Sequence, residues 1–102
     1  MTEFVKVCNL DDLPQGKNMI VRVNGKEVAL FNVKGEIFAI SNTCLHAGGP
    51  LGEGKLSSDV VMCPWHGWEY NVRDGSTVFN SNLKVEKYDV KIENDVVLVE
   101  NK

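Results

Sequence analysis

The chain contains only two histidines, and each of them lies close to a cysteine. One residue separates Cys44 from His46, and two residues separate Cys63 from His66. Sixteen residues lie between the two pairs. Thiolates and imidazoles suit zinc and iron, so these four side chains predict a metal centre. Because each pair offers one ligand of each type, the fold has to bring two separate loops together.

The segment that carries these side chains, residues 42–76, differs in composition from the rest of the chain. It holds six of the nine glycines and two of the three prolines. Such residues permit the tight backbone turns that ligands one or two positions apart require. We therefore predict a small metal-binding subdomain over about 42–76, held by its metal rather than by a ladder of strands. It is inserted in a single domain that spans residues 1–102.

Outside this segment the sequence predicts short antiparallel strands. Apolar and polar residues alternate in some short runs and β-branched residues cluster in others, Asn24-Gly25 is typical of a two-residue hairpin turn, and helical periodicity is confined to one turn within 9–13. The expected fold class is all-β, an antiparallel sandwich or barrel with the metal-binding subdomain inserted. The predicted strands are Phe4–Cys8, Met19–Val23, Val28–Val33, Glu36–Ile40, Tyr88–Ile92 and Val96–Val99.

Composition and charge exclude several classes of protein. Hydrophobic residues make up 43% and charged residues 25% of the chain, which is typical of a globular protein. The formal net charge is -3, so binding to nucleic acid is not expected. No apolar run reaches the roughly 18 residues of a membrane span, and the segment MTEFVKVCNL shows no export signal. Three cysteines do not suit a disulfide framework, so we predict a cytoplasmic protein.

Two kinds of metal centre are compatible with the four ligands. In the first, all four bind one tetrahedral Zn2+, although zinc sites usually pair like ligands in each short motif. In the second, the two cysteines bind one iron and the two histidines bind the other iron of a [2Fe–2S] cluster. The second arrangement explains why each loop carries one ligand of each type.

The two loops resemble the cluster-binding loops of Rieske-type iron–sulfur proteins. The sequences CLHAGGPL, residues 44–51, and CPWHGWEY, residues 63–70, carry this resemblance. The β pattern and the chain length are similar to those of the soluble Rieske-type ferredoxins, so the resemblance covers essentially the whole chain. It implies antiparallel strands in three sheets, with one [2Fe–2S] cluster per chain at the tip of the subdomain.

The resemblance also implies a role for each ligand. Cys44 and Cys63 are expected to bind the inner iron. His46 and His66 are expected to bind the outer iron, which faces solvent. No catalysis on a substrate is expected, because neither histidine is left for a mononuclear iron site or for nucleophilic catalysis.

Positions beside the ligands imply a low reduction potential within the family. High-potential members carry an additional disulfide where this chain has Gly49 and Trp65, and a serine where it has Trp68. Tyr70 matches the tyrosine whose hydroxyl bonds a cysteine sulfur. Because hydrogen bonds to sulfur stabilise the reduced cluster, the missing serine predicts a potential nearer about -150 mV than +300 mV.

Other residues near the ligands have expected roles of their own. Gly48 and Gly49 are expected to direct backbone amides at the sulfides. Trp68 is expected to pack under the cluster. Trp65 lies at the predicted tip, where it either contacts a partner or shields the cluster.

The function that the resemblance implies is soluble one-electron transfer. The protein would accept electrons from a reductase and pass them to an oxygenase or another terminal enzyme. Two alternatives remain open at this point. One is a small Rieske subunit of a larger reductase, such as a nitrite reductase, and the other is a zinc-stabilised interaction domain.

Overall fold

Three antiparallel sheets make up the protein, described here from a computed structural model that covers residues 3–102. The fold is all-β, as predicted, with two short 3-10 turns at Leu10–Asp12 and Leu51–Glu53. No helix in this part of the chain has the length and apolar character needed to cross a membrane. The strands are β1 (Phe4–Asn9), β2 (Asn18–Val23), β3 (Lys26–Val33), β4 (Glu36–Ser41), β5 (Lys55–Ser57), β6 (Val60–Met62), β7 (Glu69–Asn71), β8 (Lys87–Tyr88), β9 (Val90–Glu93) and β10 (Val96–Glu100).

The largest sheet has the strand order β2-β3-β4-β8 and contains the predicted meander. Its first turn is the predicted Asn24-Gly25 hairpin, with φ values of 52° and 81°. Both residues tolerate positive φ, and such turns match the twist of the strands that they join. Lys34-Gly35 forms the second turn in the same way, with φ values of 54° and 93°. Local turn chemistry therefore sets the register of these three strands.

The central strand β3 is buried on both of its faces. Ala29 and Phe31 point into a core that lies beneath the metal-binding segment. Val28 and Leu30 point the other way, into a core shared with the sheet formed by β1, β10 and β9. Since side chains alternate across a strand, one strand supplies both cores. The segment that carries the candidate ligands is thus packed directly onto the middle of the fold.

The terminal strands pair with each other over a long sequence separation. β1 pairs with β10, and β10 pairs with β9, in an antiparallel sheet with a bulge at Val7. The predicted strand over 88–92 is wrong as a single element. It is divided into β8, which pairs with β4, and β9, which pairs with β10. The chain changes sheets at this point, and alternation of residue types does not reveal such a change.

The segment over 42–76 contains more regular structure than we predicted. Strands β5, β6 and β7 form a three-stranded antiparallel sheet within it. Each strand has only three residues, which is too short for a periodic pattern to be visible in the sequence. The expectation that no ladder of strands holds this segment is therefore wrong. Val61 and Tyr70, paired across β6 and β7, are both fully buried.

Asn42 connects the end of the first candidate ligand loop, residues 44–51, to the large sheet; the second candidate ligand loop is residues 63–70. Its side chain is buried, and its Oδ1 accepts a hydrogen bond from the amide of Gly52 at 2.7 Å. Its Nδ2 donates to Glu27 Oε1 at 3.3 Å, and its backbone amide donates to the carbonyl of Glu27 at 3.1 Å. From strand β2, Asn18 Nδ2 donates to the carbonyl of Gly52 at 2.7 Å. Two amide side chains therefore hold the turn that follows the first loop.

Replacement of Asn42 by alanine is expected to lower the free energy of unfolding by about 1–3 kcal/mol, because the buried amide of Gly52 loses its partner. Urea denaturation followed by far-ultraviolet circular dichroism measures the change. Asn82→Ala is the matched control, since Asn82 lies on the surface. Equal stability of the two variants would contradict a structural role for the Asn42 side chain.

Candidate metal centre

The first ligand loop is closed by two backbone hydrogen bonds. The amide of Cys44 donates to the carbonyl of Gly49 at 2.9 Å, and the amide of Gly48 donates to the carbonyl of Cys44 at 2.9 Å. Gly48 has a φ of 74°, which a residue with a side chain rarely adopts. We expected the amide of Gly48 to point at a sulfide, and this expectation is wrong. Closing the loop already uses that donor.

The second ligand loop repeats the closure of the first. The amide of Cys63 donates to the carbonyl of Trp68 at 2.8 Å, and the amide of Gly67 donates to the carbonyl of Cys63 at 3.1 Å. Gly67 has a φ of 79°, close to that of its counterpart in the first loop. Each closed loop spans the same number of residues after its cysteine. The two loops are therefore equivalent, but their histidines differ by one position. His46 is the second residue after Cys44, and His66 is the third residue after Cys63.

Cys44 lies at the bottom of the first loop and is 2% exposed. Burial raises the pKa of its thiol. The hydroxyl of Tyr70 and the backbone amides of His46 and Ala47 donate hydrogen bonds to the sulfur and lower that pKa. These bonds outweigh burial, so the pKa of Cys44 lies below its usual value. The loop thus stabilises the thiolate, which is the form that binds a metal.

Cys63 occupies the same position in the second loop, and its thiol is within hydrogen-bonding contact of the Cys44 thiol. The backbone amides of Trp65 and His66 donate to its sulfur. Burial and the neighbouring Cys44 nevertheless raise the pKa of Cys63 above its usual value. Two adjacent thiolates repel each other in the protein alone, and a cation bound between them would relieve this repulsion.

Tyr70 links strand β7 to the first loop. Its side chain is fully buried, and its hydroxyl accepts a hydrogen bond from the amide of Leu45 at 2.9 Å. The hydroxyl proton is then directed at the sulfur of Cys44, 3.2 Å away. Burial, together with this bond to Cys44, raises the pKa of Tyr70 well above its usual value. Tyr70 is therefore a neutral hydrogen-bond donor at physiological pH.

Replacement of Tyr70 by phenylalanine is expected to lower the reduction potential, because one hydrogen bond to the sulfur of the candidate ligand Cys44 is lost. A net value of roughly 0.5–1.5 kcal/mol for that bond corresponds to about 20–65 mV for one electron. Potentiometric titration of the holoprotein measures the shift. Tyr88→Phe is the control, since the hydroxyl of Tyr88 bonds to Glu86 instead. A Tyr70 variant with an unchanged potential would show that the bond does not tune the cluster.

The two imidazoles lie on the outer side of the thiols, and both are exposed. The ring centroids of His46 and His66 are 4.7 Å apart, with the planes at 80° to each other. Within residues 3–102, no three histidine, cysteine or acidic side chains are grouped as the ligands of one metal ion. The paired thiols and the paired imidazoles instead form two separate sets. This arrangement fits a cluster with two irons better than a single tetrahedral ion.

Gly49 keeps the space between the two loops open. A Cβ atom at this position would lie 2.7 Å from the sulfur of Cys63 and 3.0 Å from Cγ of Trp65. Gly49 does not have a positive φ, so the space left by Cys63 and Trp65, and not the backbone conformation, limits a side chain here. Trp65 lies across this glycine and is 57% exposed. The space between the loops at Gly49 thus holds the hydrogen atom of a glycine but not the methyl group of an alanine, unless its neighbours move.

Trp68 contacts the imidazole of His46, and Phe79 contacts Trp68. Trp68 is half-buried and stacks on His46, with ring centroids 4.8 Å apart and an interplanar angle of 13°. Phe79 meets Trp68 edge-on, with centroids 4.8 Å apart and an angle of 83°. Phe79 was not among the residues predicted to lie at the site. The only signal in the sequence was an aromatic residue in a polar turn, VFNSNL, after the second loop.

Comparison with known proteins shows the family to which this chain belongs. The family model of the Rieske [2Fe–2S] domain matches residues 3–89. The chain is 39% identical over 97 residues to the ferredoxin component of the naphthalene 1,2-dioxygenase/salicylate 5-hydroxylase systems of Ralstonia sp. That match covers 94% of this chain and 93% of the relative.

Solved structures of ferredoxins have the same fold. The ferredoxin of carbazole 1,9a-dioxygenase from Nocardioides aromaticivorans IC177 superposes with a TM-score of 0.90 at 32% identity, covering 97% of this chain and 98% of that chain. A chain in a complex of reduced oxygenase and oxidised ferredoxin of carbazole 1,9a-dioxygenase superposes with a TM-score of 0.88 at 30% identity, covering 97% and 94%. The chain therefore belongs to the Rieske [2Fe–2S] domain family, as an electron carrier that holds a Rieske-type [2Fe–2S] cluster.

Proposed function

We propose that Cys44 and Cys63 bind the inner iron of the cluster and that His46 and His66 bind the outer iron. The buried thiols with their amide donors support the first assignment. The exposed pair of imidazole rings, 4.7 Å apart, supports the second. When bound, the cluster supplies a centre that gains and loses one electron.

We further propose that the protein passes single electrons from a reductase to an oxygenase. The observation that carries this proposal is the position of the two imidazoles, which lie exposed at the outer end of a buried site. A partner can therefore approach the outer side of the centre closely. The relatives support the oxygenase as acceptor, because they are ferredoxin components of dioxygenase systems. Their names describe separate components, which favours a carrier over a subunit of a larger reductase.

Rigid loops around the cofactor suit this function. Electron transfer is fast when the surroundings of the centre change little between oxidation states. The closing hydrogen bonds of both loops and the bond from Tyr70 limit such movement. Around the imidazoles, Leu45 and Trp65 are exposed apolar side chains. Exposed apolar residues beside a site are typical of a surface that contacts another protein, and they would exclude water from the contact.

We propose a cytoplasmic location as well. All three cysteines are free thiols in the described part of the chain, and two of them are the candidate cluster ligands. Free thiols persist in a reducing compartment, whereas an oxidising one favours disulfides. A cell fractionation experiment with an antibody against the protein would test this location.

Two measurements test the proposed function. Reductive titration of the purified holoprotein with dithionite should take up one electron per chain. The reduced protein, mixed under anaerobic conditions with the oxidised oxygenase component of a naphthalene or carbazole dioxygenase, should then be reoxidised. Absorption at visible wavelengths follows both steps. A protein that takes up no electron, or that reduces neither oxygenase, would contradict the proposal.

A further inference from the structure

We propose that Trp68 is a positioning residue, which fixes the orientation of the His46 imidazole, and that Phe79 holds Trp68 in place. The inference rests on the proposed function, in which His46 binds the outer iron. It concerns the angle that the imidazole plane takes at the iron. Residues around a metal centre often orient its ligands, most commonly by a hydrogen bond to the far ring nitrogen. Here the contact is the flat face of an indole.

The stack on His46 constrains rotation of the imidazole. Trp68 is nearly parallel to it, at an interplanar angle of 13° and a centroid distance of 4.8 Å. Rotation of the imidazole about its own bond to the chain would drive one of its edges into the indole. His66 contacts the same ring at 80°, so a second neighbour limits the rotation. The orientation of His46 is therefore restricted by two contacts of different direction.

Trp68 is itself fixed by the second ligand loop. Its carbonyl accepts the hydrogen bond from the amide of Cys63 that closes this loop, at 2.8 Å. The residue thus belongs to the loop that carries His66, and its side chain reaches the ligand of the other loop. Trp68 connects the two loops on their outer side. On the inner side the two loops approach each other at Gly49, where the missing side chain leaves room for the sulfur of Cys63.

Phe79 supports Trp68 from a closed turn. The amide of Thr77 donates to the carbonyl of Leu83 at 2.8 Å, and Thr77 Oγ1 donates to the carbonyl of Asn80 at 2.6 Å. The amide of Val78 donates to the carbonyl of Glu69, which ties this turn to β7 at 2.9 Å. Phe79 is 61% exposed, yet the turn holds it edge-on against the indole. The rigid turn therefore keeps the exposed ring of Phe79 against Trp68 and limits movement of the indole.

The primary test uses two variants of Trp68 in protein that carries 15N in its histidines. Trp68→Leu removes the flat face, whereas Trp68→Phe retains an aromatic ring. Pulsed electron paramagnetic resonance of the dithionite-reduced holoprotein resolves the couplings of the nitrogens bound to the iron. We expect the leucine variant to change one of the two couplings and to shift the midpoint potential upward, because water replaces the indole and stabilises the added negative charge. The phenylalanine variant should retain the wild-type couplings.

A second pair of variants does not depend on the folding of the Trp68 variants. Phe79→Ala should change the same coupling in the same direction by a smaller amount. Val78→Ala is its matched control, since Val78 is the neighbouring residue and is 57% exposed. Unchanged couplings in both Trp68→Leu and Phe79→Ala would overturn the positioning role. If Trp68→Leu does not acquire the cluster, unchanged couplings in Phe79→Ala alone would overturn the positioning role, and a changed coupling would support it.

The same spectra separate failure of this inference from failure of the proposed function. Wild-type protein with two histidine nitrogen couplings supports the ligand assignment, whatever the variants show. Wild-type protein without these couplings would overturn the assignment, and the positioning role would fall with it. Two wild-type couplings that no variant alters would overturn the positioning role alone.

Discussion

Replacement of Gly49 by alanine is expected to abolish incorporation of the cluster. The added methyl group would lie 2.7 Å from the sulfur of Cys63, which is far inside the contact distance of carbon and sulfur. Trp65 is exposed and can move away, but in the proposed assignment Cys63 binds the inner iron and its sulfur is fixed. Iron and acid-labile sulfide content per chain, together with the visible absorption of the purified protein, measure the effect.

Gly48→Ala is the matched control for this prediction. Gly48 is the preceding residue, and a Cβ atom there would approach only Thr43 Cγ2, at 3.9 Å. Its φ of 74° means that alanine is strained, at a cost of roughly 1–2 kcal/mol, without blocking the space of the cluster. The control should retain iron and sulfide and lose some stability. A Gly49→Ala protein with the iron content of the wild type would contradict the prediction, because it would show that the loops can separate without loss of the cluster.

The second large effect is expected from replacement of either histidine by serine. His46→Ser or His66→Ser removes a neutral nitrogen ligand from the outer iron in the proposed assignment. A serine side chain is shorter than an imidazole and does not reach the same position. The visible spectrum should bleach or change its form, and any remaining reduced signal should have a different average g value. Visible absorption and electron paramagnetic resonance of the dithionite-reduced protein provide the measurements.

Trp65→Phe is the control for the histidine variants. Trp65 is exposed, lies next to His66 in the chain, and retains an aromatic ring when replaced by phenylalanine. Its spectrum should match that of the wild type. If either histidine variant had the same spectrum as this control, the ligand assignment would be refuted. The proposed transfer of electrons through the exposed side of the site would then lose its basis.

Much of the strand pattern was predictable because its signals are local. The Asn24-Gly25 turn, with positive φ at both residues, sets the register of β2 and β3 without help from distant residues. Alternating apolar and polar residues predicted β1 as a strand, and a run of mostly β-branched residues predicted β10. These local patterns did not predict that β1 and β10 pair with each other, because the paired residues are about ninety positions apart in the chain. Nor did they predict the strands of three residues in β5–β7, which are too short to show a period.

The candidate ligands were predictable for a different reason. With two histidines in the chain, each beside a cysteine, the residue types and spacing left few choices. Phe79 offered no comparable signal, because an exposed aromatic residue in a turn has no fixed partner in the sequence. The role of Asn42 was likewise invisible, since its partners at positions 27 and 52 are distant along the chain.

The amino-acid sequence by itself determined which side chains can hold the cofactor and where the main hairpin turns lie. Both depend on residues that are close together in the chain. Only the tertiary structure decided that the amide of Gly48 closes its loop, that Gly49 leaves room for the sulfur of Cys63, and that an indole covers His46. The first of these contacts closes one loop on itself, and the other two join the two loops. Their geometry depends on how the chain folds back and on how the sheets beneath the loops pack.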